Sequence, residues 1–276
     1  MIDNMSSRVK RDNHPIDKDT RTLISKRYKR ITKAVNEEFW GSSSDTLHSR
    51  YVGSYGRGTA INTSDLDVLI ELPEEEYDHF TSLYGNGQSR LLQAVKDAIL
   101  DTYSNTDVKG DGQVVVVKFT DGIKFEILPA FQHFDYYGRW DGTYTYPDTH
   151  MGGNWMTTNP KAEQDAMAEK DNYYNANGLL RDTCKHIRYI RSERFSSYNL
   201  SGILVDTFVY EAIGGWHWSR DDKKSSSTGK CFEEILLDYY NSLSSYFKPT
   251  LYSPGSGMKI ECDDWDVLGK ILNKMV

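Results

Sequence analysis

Two aspartates separated by a single leucine, Asp65 and Asp67, constrain the fold of this chain more than any other feature. They begin an apolar segment, residues 65–70, whose composition predicts a short β-strand. Because a strand sends residues i and i+2 to the same face, both carboxylates are expected to point together. Two such charges repel each other by about 4 kcal/mol at an effective dielectric constant of about 20. The pair therefore indicates a shared proton or a shared cation, and carboxylate oxygens favour Mg²⁺ or Mn²⁺.

A glycine-rich segment, residues 53–58, precedes the aspartate pair and has the composition of a phosphate-binding turn. Glycines allow the backbone to approach a ligand closely, and the N–H groups of such a turn bind anions. Gly53 and Ser54 are therefore predicted to bind nucleotide phosphates through backbone N–H groups and the serine hydroxyl. Each feature alone has a plainer interpretation, a solvated strand edge for the aspartates and an ordinary turn for the glycines. Their combination at this spacing favours a site for a metal-bound nucleotide.

A predicted β-hairpin supplies a third carboxylate, that of Glu126. Its strands cover residues 113–119 and 123–128, and Pro129 is expected to end the second strand. Glu126 stands among apolar residues, where an unpaired carboxylate is costly to bury, so it is expected to face a cation. If this strand lies beside the aspartate strand, Glu126 becomes a third metal ligand. The alternative is a glutamate that faces water at the edge of the hairpin.

The rest of the chain alternates between helical patterns and polar connections. Helical spacing of apolar residues predicts a long helix from Lys18 to Trp40 and a second helix that is capped near Ser89. Residues 131–178 are rich in aromatic side chains and are interpreted as a long connection without regular structure. Further helices are predicted at residues 179–195, 200–213, 232–247 and 264–275. The order indicates an α+β protein of two domains, residues 17–135 and 136–276, with a cleft between them.

Charge and cysteine content limit the classes of function. The chain has 40 acidic and 33 basic residues, and its net charge of −7 disfavours tracking along a nucleic-acid backbone. We therefore expect small nucleotide substrates and no stable nucleic-acid partner. The three cysteines are far apart and form no CxxC pair, which indicates a reduced cytoplasmic protein without disulfides or a zinc ribbon. No apolar run approaches the ~20 residues of a membrane span, and residues 1–14 lack the apolar core of a secretion signal.

Together these residues predict metal-assisted phosphoryl transfer. In such reactions a protein mainly positions groups and neutralises charge, and two divalent cations about 3.5–4 Å apart are a common arrangement. Asp65, Asp67 and Glu126 are the predicted catalytic and metal-binding residues for two Mg²⁺ or Mn²⁺ ions, and no histidine base is required. The P-loop motif, the dinucleotide-binding fingerprint and the GxSxG elbow do not occur in the chain.

The motifs that contain these residues resemble those of the nucleotidyltransferases related to cyclic GMP-AMP synthase and oligoadenylate synthase. The similarity is greatest to their bacterial branch, the CD-NTases, which make cyclic oligonucleotides in antiphage (CBASS-type) signalling. It covers roughly residues 20–247 and is carried by the segments 53–60, 64–68, 125–131, 146–148, 152–155 and 158–160. The resemblance implies a polymerase-β-like nucleotidyltransferase core with a C-terminal helical lobe. It also implies synthesis of cyclic di- or oligonucleotides from nucleoside triphosphates, release of pyrophosphate, and a downstream effector that reads the product.

The resemblance adds two nucleotide-binding residues and leaves alternatives open. Lys185 matches a helical lysine of the family that contacts the donor triphosphate, and Ser201 matches a phosphate-binding serine. The third acidic residue of the family is usually aspartate, so Glu126 is a departure that is expected to shift the metal or to favour Mn²⁺. The alternatives are an enzyme that makes linear oligonucleotides, one that transfers a nucleotide to another acceptor, and a catalytically silent nucleotide-binding protein.

Overall fold

The computed structural model describes residues 8–61, 65–225, 229–243 and 248–276. The chain divides into two compact units. The first, which we call the sheet unit, consists of Ile16–Gly56 and Asn62–Lys161. The second, which we call the helical unit, consists of Met1–Pro15, Arg57–Ile61 and Ala162–Val276. The glycine-rich segment is therefore divided between the two units.

In its described part, the sheet unit contains four α-helices and seven strands. The helices are α1 (Lys18–Trp40), α2 (Gly53–Gly56), α3 (Glu74–Ser82) and α4 (Gly87–Thr102). The strands are β1 (Ser49–Tyr51), β2 (Leu66–Glu71), β3 (Asp107–Asp111), β4 (Val114–Lys118), β5 (Lys124–Phe134), β6 (Trp140–Asp148) and β7 (Asn154–Thr158). Ser64, which belongs to one of the predicted motifs, lies outside the described residues.

The seven strands form one mixed sheet. Five of them follow the order β1-β2-β5-β4-β3, while β6 pairs with the long strand β5 and β7 pairs with β6. Strands β2 and β5 are parallel, and the other neighbouring pairs are antiparallel. The two strands predicted to carry the acidic residues are therefore direct neighbours.

One face of this sheet packs against helices α1 and α4. Their apolar residues share a buried cluster with alternate residues of the two central strands, namely Leu66, Val68, Ile70, Phe125 and Ile127. Because side chains alternate along a strand, the residues between them point to the opposite face. Asp67 of β2 and Glu126 of β5 are therefore kept out of the apolar core.

Local capping explains where the first helices begin. The predicted helix from Lys18 to Trp40 is confirmed with those bounds as α1. The Asp17 side chain caps it by accepting a hydrogen bond from the Thr20 backbone N–H at 2.8 Å. Helix α4 begins before Ser89, because the Asn86 side chain accepts the Ser89 backbone N–H at 2.8 Å and caps the helix there. The cap that was predicted near Ser89 is thus three residues earlier.

Pro129 does not end the strand that contains Glu126, contrary to the sequence prediction. Strand β5 continues to Phe134. Its pairing with β4 ends at Ile127, and its pairing with β6 begins at Phe131. Pro129 lies between these two partners, where the sheet does not need the N–H that proline lacks. A strand can therefore run through the proline.

Several elements were missed by the sequence prediction, including helix α3 and the strands β1, β3, β6 and β7. Pro73 is the N-cap residue of α3, and the three glutamates after it form the first turn, where acidic residues are favourable. Residues 131–178, predicted to lack regular structure, contain the end of β5, then β6, β7 and helix α5 (Pro160–Lys170). Strand β6 was difficult to predict because it contains Gly142 and Pro147, and both residue types usually indicate the end of a strand.

The described part of the helical unit is built around one apolar core. Its helices after α5 are α6 (Leu179–Arg194), α7 (Gly202–Ala212), α8 (Phe232–Leu243) and α9 (Trp265–Leu272). Two pairs of short strands accompany them, β8 (His217–Trp218) with β9 (Lys224–Ser225) and β10 (Leu251–Tyr252) with β11 (Lys259–Ile260). The helices predicted at 179–195, 200–213 and 264–275 are confirmed with somewhat shorter bounds. Residues 244–247, the predicted end of another helix, lie outside the described residues.

Among the residues that the structure describes, every helix is too short or too polar to cross a lipid bilayer.

Candidate active site

Asp67 and Glu126 are register partners on the adjacent parallel strands β2 and β5. Partners at one register position point to the same face of a sheet, so the two carboxylates are neighbours. The sequence predicts Glu126 as a third metal ligand only if its strand lies beside the aspartate strand. That adjacency is confirmed. Glu126 faces away from the buried cluster of the sheet unit, and its side chain is partly exposed.

Asp65 immediately precedes β2 and is joined to Glu126 through a lysine. The ammonium group of Lys124, the first residue of β5, forms an ion pair with Asp65 and donates a hydrogen bond to Glu126 Oε1 at 2.9 Å. Burial of Lys124 alone would lower its pKa, but the hydrogen bonds to Asp65 and Glu126 outweigh burial and raise this pKa above its usual value. One cation thus lies between two of the three predicted acidic residues.

The glycine-serine turn lies against the remaining acid, Asp67. The Val52 backbone N–H donates to the Asp67 carbonyl oxygen at 2.8 Å, which ties the start of the turn to β2. Gly53 follows with a φ of +57°, and a Cβ atom on it would lie 1.8 Å from Asp67 Oδ2. Only glycine leaves room for the carboxylate here. Ser54 comes next, within the single helical turn α2 that the Gly56 N–H closes onto the Val52 carbonyl at 2.9 Å.

The other two predicted nucleotide-binding residues, Lys185 and Ser201, belong to the helical unit. Lys185 lies half-buried in α6. Burial lowers the pKa of the nearby His14, and the Lys185 charge lowers it further. Ser201 is the N-cap residue of α7, but its side chain does not cap that helix, and its backbone N–H donates to Asp264 Oδ2 at 3.1 Å. The role of both residues in nucleotide binding stays a prediction.

Arg57, within the glycine-rich segment, is held in the helical unit by two carboxylates, one of them fully buried. Its Nε donates to Asp206 Oδ2 at 2.8 Å, and its Nη1 donates to Glu163 Oε2 at 3.1 Å. Asp206 is fully buried and also forms an ion pair with Arg188 at 2.7 Å. Burial alone would raise the pKa of Asp206, but the Arg188 and Arg57 guanidinium groups outweigh burial and hold this pKa below its usual value.

No role for Arg57 or Lys124 is predicted from the sequence. Arg57 stands out in the sequence because it lies among glycines. Its partner Asp206 could not be identified in this way, because it lies 149 residues further along the chain. Lys124 is two residues before Glu126 and shares its strand face, which could have indicated their pairing. Both residues contact acidic groups that the fold brings to them.

The carboxylates of the sheet unit fit a divalent cation in their chemistry. All three predicted ligands offer oxygen atoms, which suits Mg²⁺ or Mn²⁺, and the Lys124 ammonium already provides a cation between Asp65 and Glu126. In the described ranges, no three Asp, Glu, His or Cys side chains converge closely enough to form a preassembled metal site. Asp67 and Glu126 are register partners on adjacent strands, and Lys124 contacts both Asp65 and Glu126.

Comparisons with known proteins identify related sequences and folds. A family model described as the Second Messenger Oligonucleotide or Dinucleotide Synthetase (SMODS) domain matches residues 8–171. The matched residues include the glycine-serine turn and all three acidic residues. A search of the curated proteins finds no match.

Several solved structures share the fold. The CdnE cyclic dinucleotide synthase of Elizabethkingia meningoseptica, solved with GTP and Apcpp, is 11% identical with a TM-score of 0.63, covering 94% of this chain and 97% of that chain. The DncV cyclic AMP-GMP synthase of Vibrio cholerae, solved with the linear intermediate 5′ pppA(3′,5′)pG, is 13% identical with a TM-score of 0.62, covering 94% and 84%. The CD-NTase CdnG of Bradyrhizobium diazoefficiens, solved with GTP, is 11% identical with a TM-score of 0.59, covering 98% and 85%. These similarities confirm the predicted α+β fold with a polymerase-β-like core.

Proposed function

Because the chain belongs to the family of second messenger oligonucleotide or dinucleotide synthetase domains, we propose that it is a metal-dependent nucleotidyltransferase that makes cyclic di- or oligonucleotides from nucleoside triphosphates. The observation that carries the proposal is the register of β2 and β5, in which Asp67 lies opposite Glu126. Asp65 is linked to Glu126 through Lys124, so all three acids belong to one small region. This region supplies the negative charge that a cation-assisted phosphoryl transfer needs.

In the proposed reaction, a ribose hydroxyl of one nucleotide attacks the α-phosphorus of another. A new P–O bond forms, the bond from the α-phosphorus to pyrophosphate breaks, and the hydroxyl gives up its proton to water. A second transfer within the linear product closes the ring. Bound divalent cations would supply the positive charge that lowers the pKa of the attacking hydroxyl and stabilises the leaving pyrophosphate.

The three acids have separate roles in this proposal. Asp65 and Asp67 would help to hold both cations, including the one that accompanies the donor triphosphate. Glu126, on the neighbouring strand, would hold the cation beside the attacking hydroxyl. The carboxylates orient the two reacting groups and take up no covalent bond themselves, as is usual for proteins that transfer phosphoryl groups.

Four further residues bind the donor nucleotide in the proposal. Gly53 and Ser54 donate backbone N–H groups and a hydroxyl to its β- and γ-phosphates, and the contact of Gly53 with Asp67 supports a role beside the metal ligands. Lys185 and Ser201 of the helical unit contact the triphosphate, as the resemblance to the family implies. A lysine ammonium and a serine hydroxyl are both suitable donors to phosphate oxygens.

The proposed substrates are ATP, GTP or other nucleoside triphosphates. Structural relatives of this chain were solved with GTP and with a linear dinucleotide intermediate, which supports substrates of this class. The net charge of −7 supports small nucleotides over a nucleic-acid polymer. A cytoplasmic location and a role in antiphage signalling, through an effector that binds the cyclic product, complete the proposal.

Product analysis tests the proposed function. The purified protein is incubated with the four ribonucleoside triphosphates and either Mg²⁺ or Mn²⁺, then treated with phosphatase and analysed by mass spectrometry. We expect phosphatase-resistant products that are absent from the Asp67→Asn variant. The control variant Asp111→Asn, which neutralises an exposed carboxylate on the edge strand β3 of the same sheet, should retain them.

The same assay separates the alternatives. Oligonucleotides that lose terminal phosphates to phosphatase would indicate a synthase of linear products. A nucleotide found attached to another molecule would indicate a different acceptor. Binding of ATP in calorimetry without any product under either metal would contradict the proposed synthesis and indicate a silent nucleotide-binding protein.

A further inference from the structure

Lys124 occupies a special place among the acidic residues of the sheet unit. It is the first residue of β5 and lies two positions before Glu126, on the same strand face. Its ammonium contacts Asp65 on one side and Glu126 Oε1, at 2.9 Å, on the other. The Lys124 side chain is 28% exposed, so these ion pairs are partly shielded from water. The lysine therefore neutralises two carboxylates that would otherwise repel each other.

The two contacts of Lys124 use the groups that the proposed function assigns to metal ions. A carboxylate oxygen that accepts a hydrogen bond from an ammonium group has less charge to offer a metal, and a second cation nearby is repelled. In the described residues, the acids form no preassembled metal site while the lysine lies between two of them. The Lys124 ammonium and a divalent cation therefore compete for the carboxylates of Asp65 and Glu126.

We propose that Lys124 is a positioning residue that acts as an internal counter-ion, holding Asp65 and Glu126 together in the metal-free protein and being displaced from them when a divalent cation binds. This inference rests on the proposed function, because it takes the three acids to be the metal ligands. Lys124 touches neither the substrate nor the reacting atoms in this proposal. It sets how tightly the site binds metal.

A neighbouring lysine offers a matched control. Lys118 on β4 is the register partner of Lys124 and points to the same sheet face. It is exposed, and among the described residues it has no hydrogen bond or ion pair with Asp65 or Glu126. Lys118→Gln and Lys124→Gln therefore remove the same charge from adjacent places, but only the second removes the contacts.

The test measures binding of Mn²⁺ alone to the full chain by electron paramagnetic resonance, without nucleotide. We expect Lys124→Gln to bind Mn²⁺ roughly tenfold more tightly than the wild type, since a charge-assisted hydrogen bond no longer has to be broken. Lys118→Gln should change the affinity less than threefold, on the order expected for an exposed charge. Lys124→Arg, which keeps the cation, should retain the wild-type affinity.

Thermal denaturation gives a second readout. Without metal, Lys124→Gln should melt below the wild type, because Asp65 and Glu126 then repel each other. Saturating Mn²⁺ should raise the melting temperature of Lys124→Gln more than that of the wild type, by the linkage of binding to stability. A folded Lys124→Gln protein with unchanged or weaker Mn²⁺ affinity overturns the inference, as does an equal gain in Lys118→Gln.

Failure of the inference and failure of the proposed function give different results. If the wild type makes cyclic products while Lys124→Gln binds Mn²⁺ no more tightly, only the role of Lys124 is wrong. If Lys124→Gln binds Mn²⁺ more tightly while the wild type makes no product, the counter-ion role holds and the synthesis does not. If neither the wild type nor Lys124→Gln binds Mn²⁺ alone, the counter-ion role is overturned, and product analysis decides the proposed synthesis separately.

Discussion

Gly53 lies so close to Asp67 that a Cβ atom at position 53 would be 1.8 Å from the carboxylate oxygen Oδ2. Real Cβ atoms essentially never approach a heavy atom within 3.0 Å, so any side chain at this position must displace the carboxylate or the turn. The two residues come from different segments, the turn after β1 and the strand β2. A residue proposed to bind phosphate thus determines where a residue proposed to bind metal can lie.

Gly53→Ala is expected to reduce turnover by about a hundredfold or more, since displacement of a reacting group by about 1 Å can cost that much. The variant should remain folded, because a non-glycine residue in the left-handed region costs only about 1–2 kcal/mol. Initial rates and thermal denaturation measure both effects. The control is Gly41→Ala, whose φ of +60° brings the same backbone strain but whose Cβ would meet nothing within 4 Å. Equal loss of turnover in both variants would rule out the contact with Asp67 as the cause.

Glu126→Gln is expected to abolish turnover while binding of the donor nucleotide is largely retained. Asp65 and Asp67 still hold the cation of the donor in this variant, and the glutamine oxygen can still accept a hydrogen bond from Lys124. Product formation is followed by mass spectrometry, and binding of a non-hydrolysable ATP analogue with Mg²⁺ by calorimetry. Glu126→Asp, which keeps a carboxylate at this position, should retain much of the turnover. A parallel loss of binding and turnover in Glu126→Gln would show that its assigned role is wrong.

Asp206→Asn is expected to destabilise the helical unit by about 3–5 kcal/mol, because it leaves the buried Arg57 and Arg188 charges without their common partner. The pKa of Asp206 is held below its usual value, so its stabilising contribution is present above the unfolded pKa of about 3.9 and is lost as the pH falls through the folded pKa. The difference between wild type and variant, measured by chemical denaturation, should therefore shrink only below about pH 4.

The control for this variant is Asp222→Asn, which breaks an exposed ion pair with Arg11 in the same unit. Its effect on the free energy of unfolding should stay below about 1 kcal/mol. If Asp206→Asn is no more destabilising than Asp222→Asn, the buried pairs do not hold Arg57 as described.

Asp171→Asn should change how stability depends on pH between about 4 and 6. Asp171 is buried, accepts the Leu180 backbone N–H at 3.0 Å, and lies 3.5 Å from Arg181. Burial raises the pKa of Asp171 to about 6, which Arg181 only partly opposes. Because the folded protein holds this proton more tightly than the unfolded chain, wild-type stability should fall as the pH rises through this window, by roughly 2–3 kcal/mol.

The asparagine variant cannot ionise, so it should lack this decline. Denaturation curves for wild type and Asp171→Asn, recorded between pH 4 and 7, measure the difference directly. Parallel pH profiles for the two proteins would show that Asp171 titrates at its ordinary pKa in the folded state.

Much of the local structure could be predicted from the sequence. Helix α1 has the predicted bounds, because its apolar spacing and its cap at Asp17 are both local features. Strand β5 was wrongly ended at Pro129, since the tolerance for proline depends on which neighbours pair at that position. Helix α3 was missed because the glutamates that begin it were interpreted only as the end of a strand.

By itself, the sequence determined which chemical groups are available and how neighbouring ones are spaced: Asp65 and Asp67 lie two residues apart at the start of a strand, and glycines precede them. Such features depend on covalent spacing over a few residues, which any fold preserves. Only the tertiary structure decided that β2 and β5 are parallel neighbours, that Glu126 therefore faces Asp67, and that Lys124 lies between two acids. Pairing between distant strands depends on the packing of the whole sheet against its helices. The local periodicity of the sequence does not predict that packing.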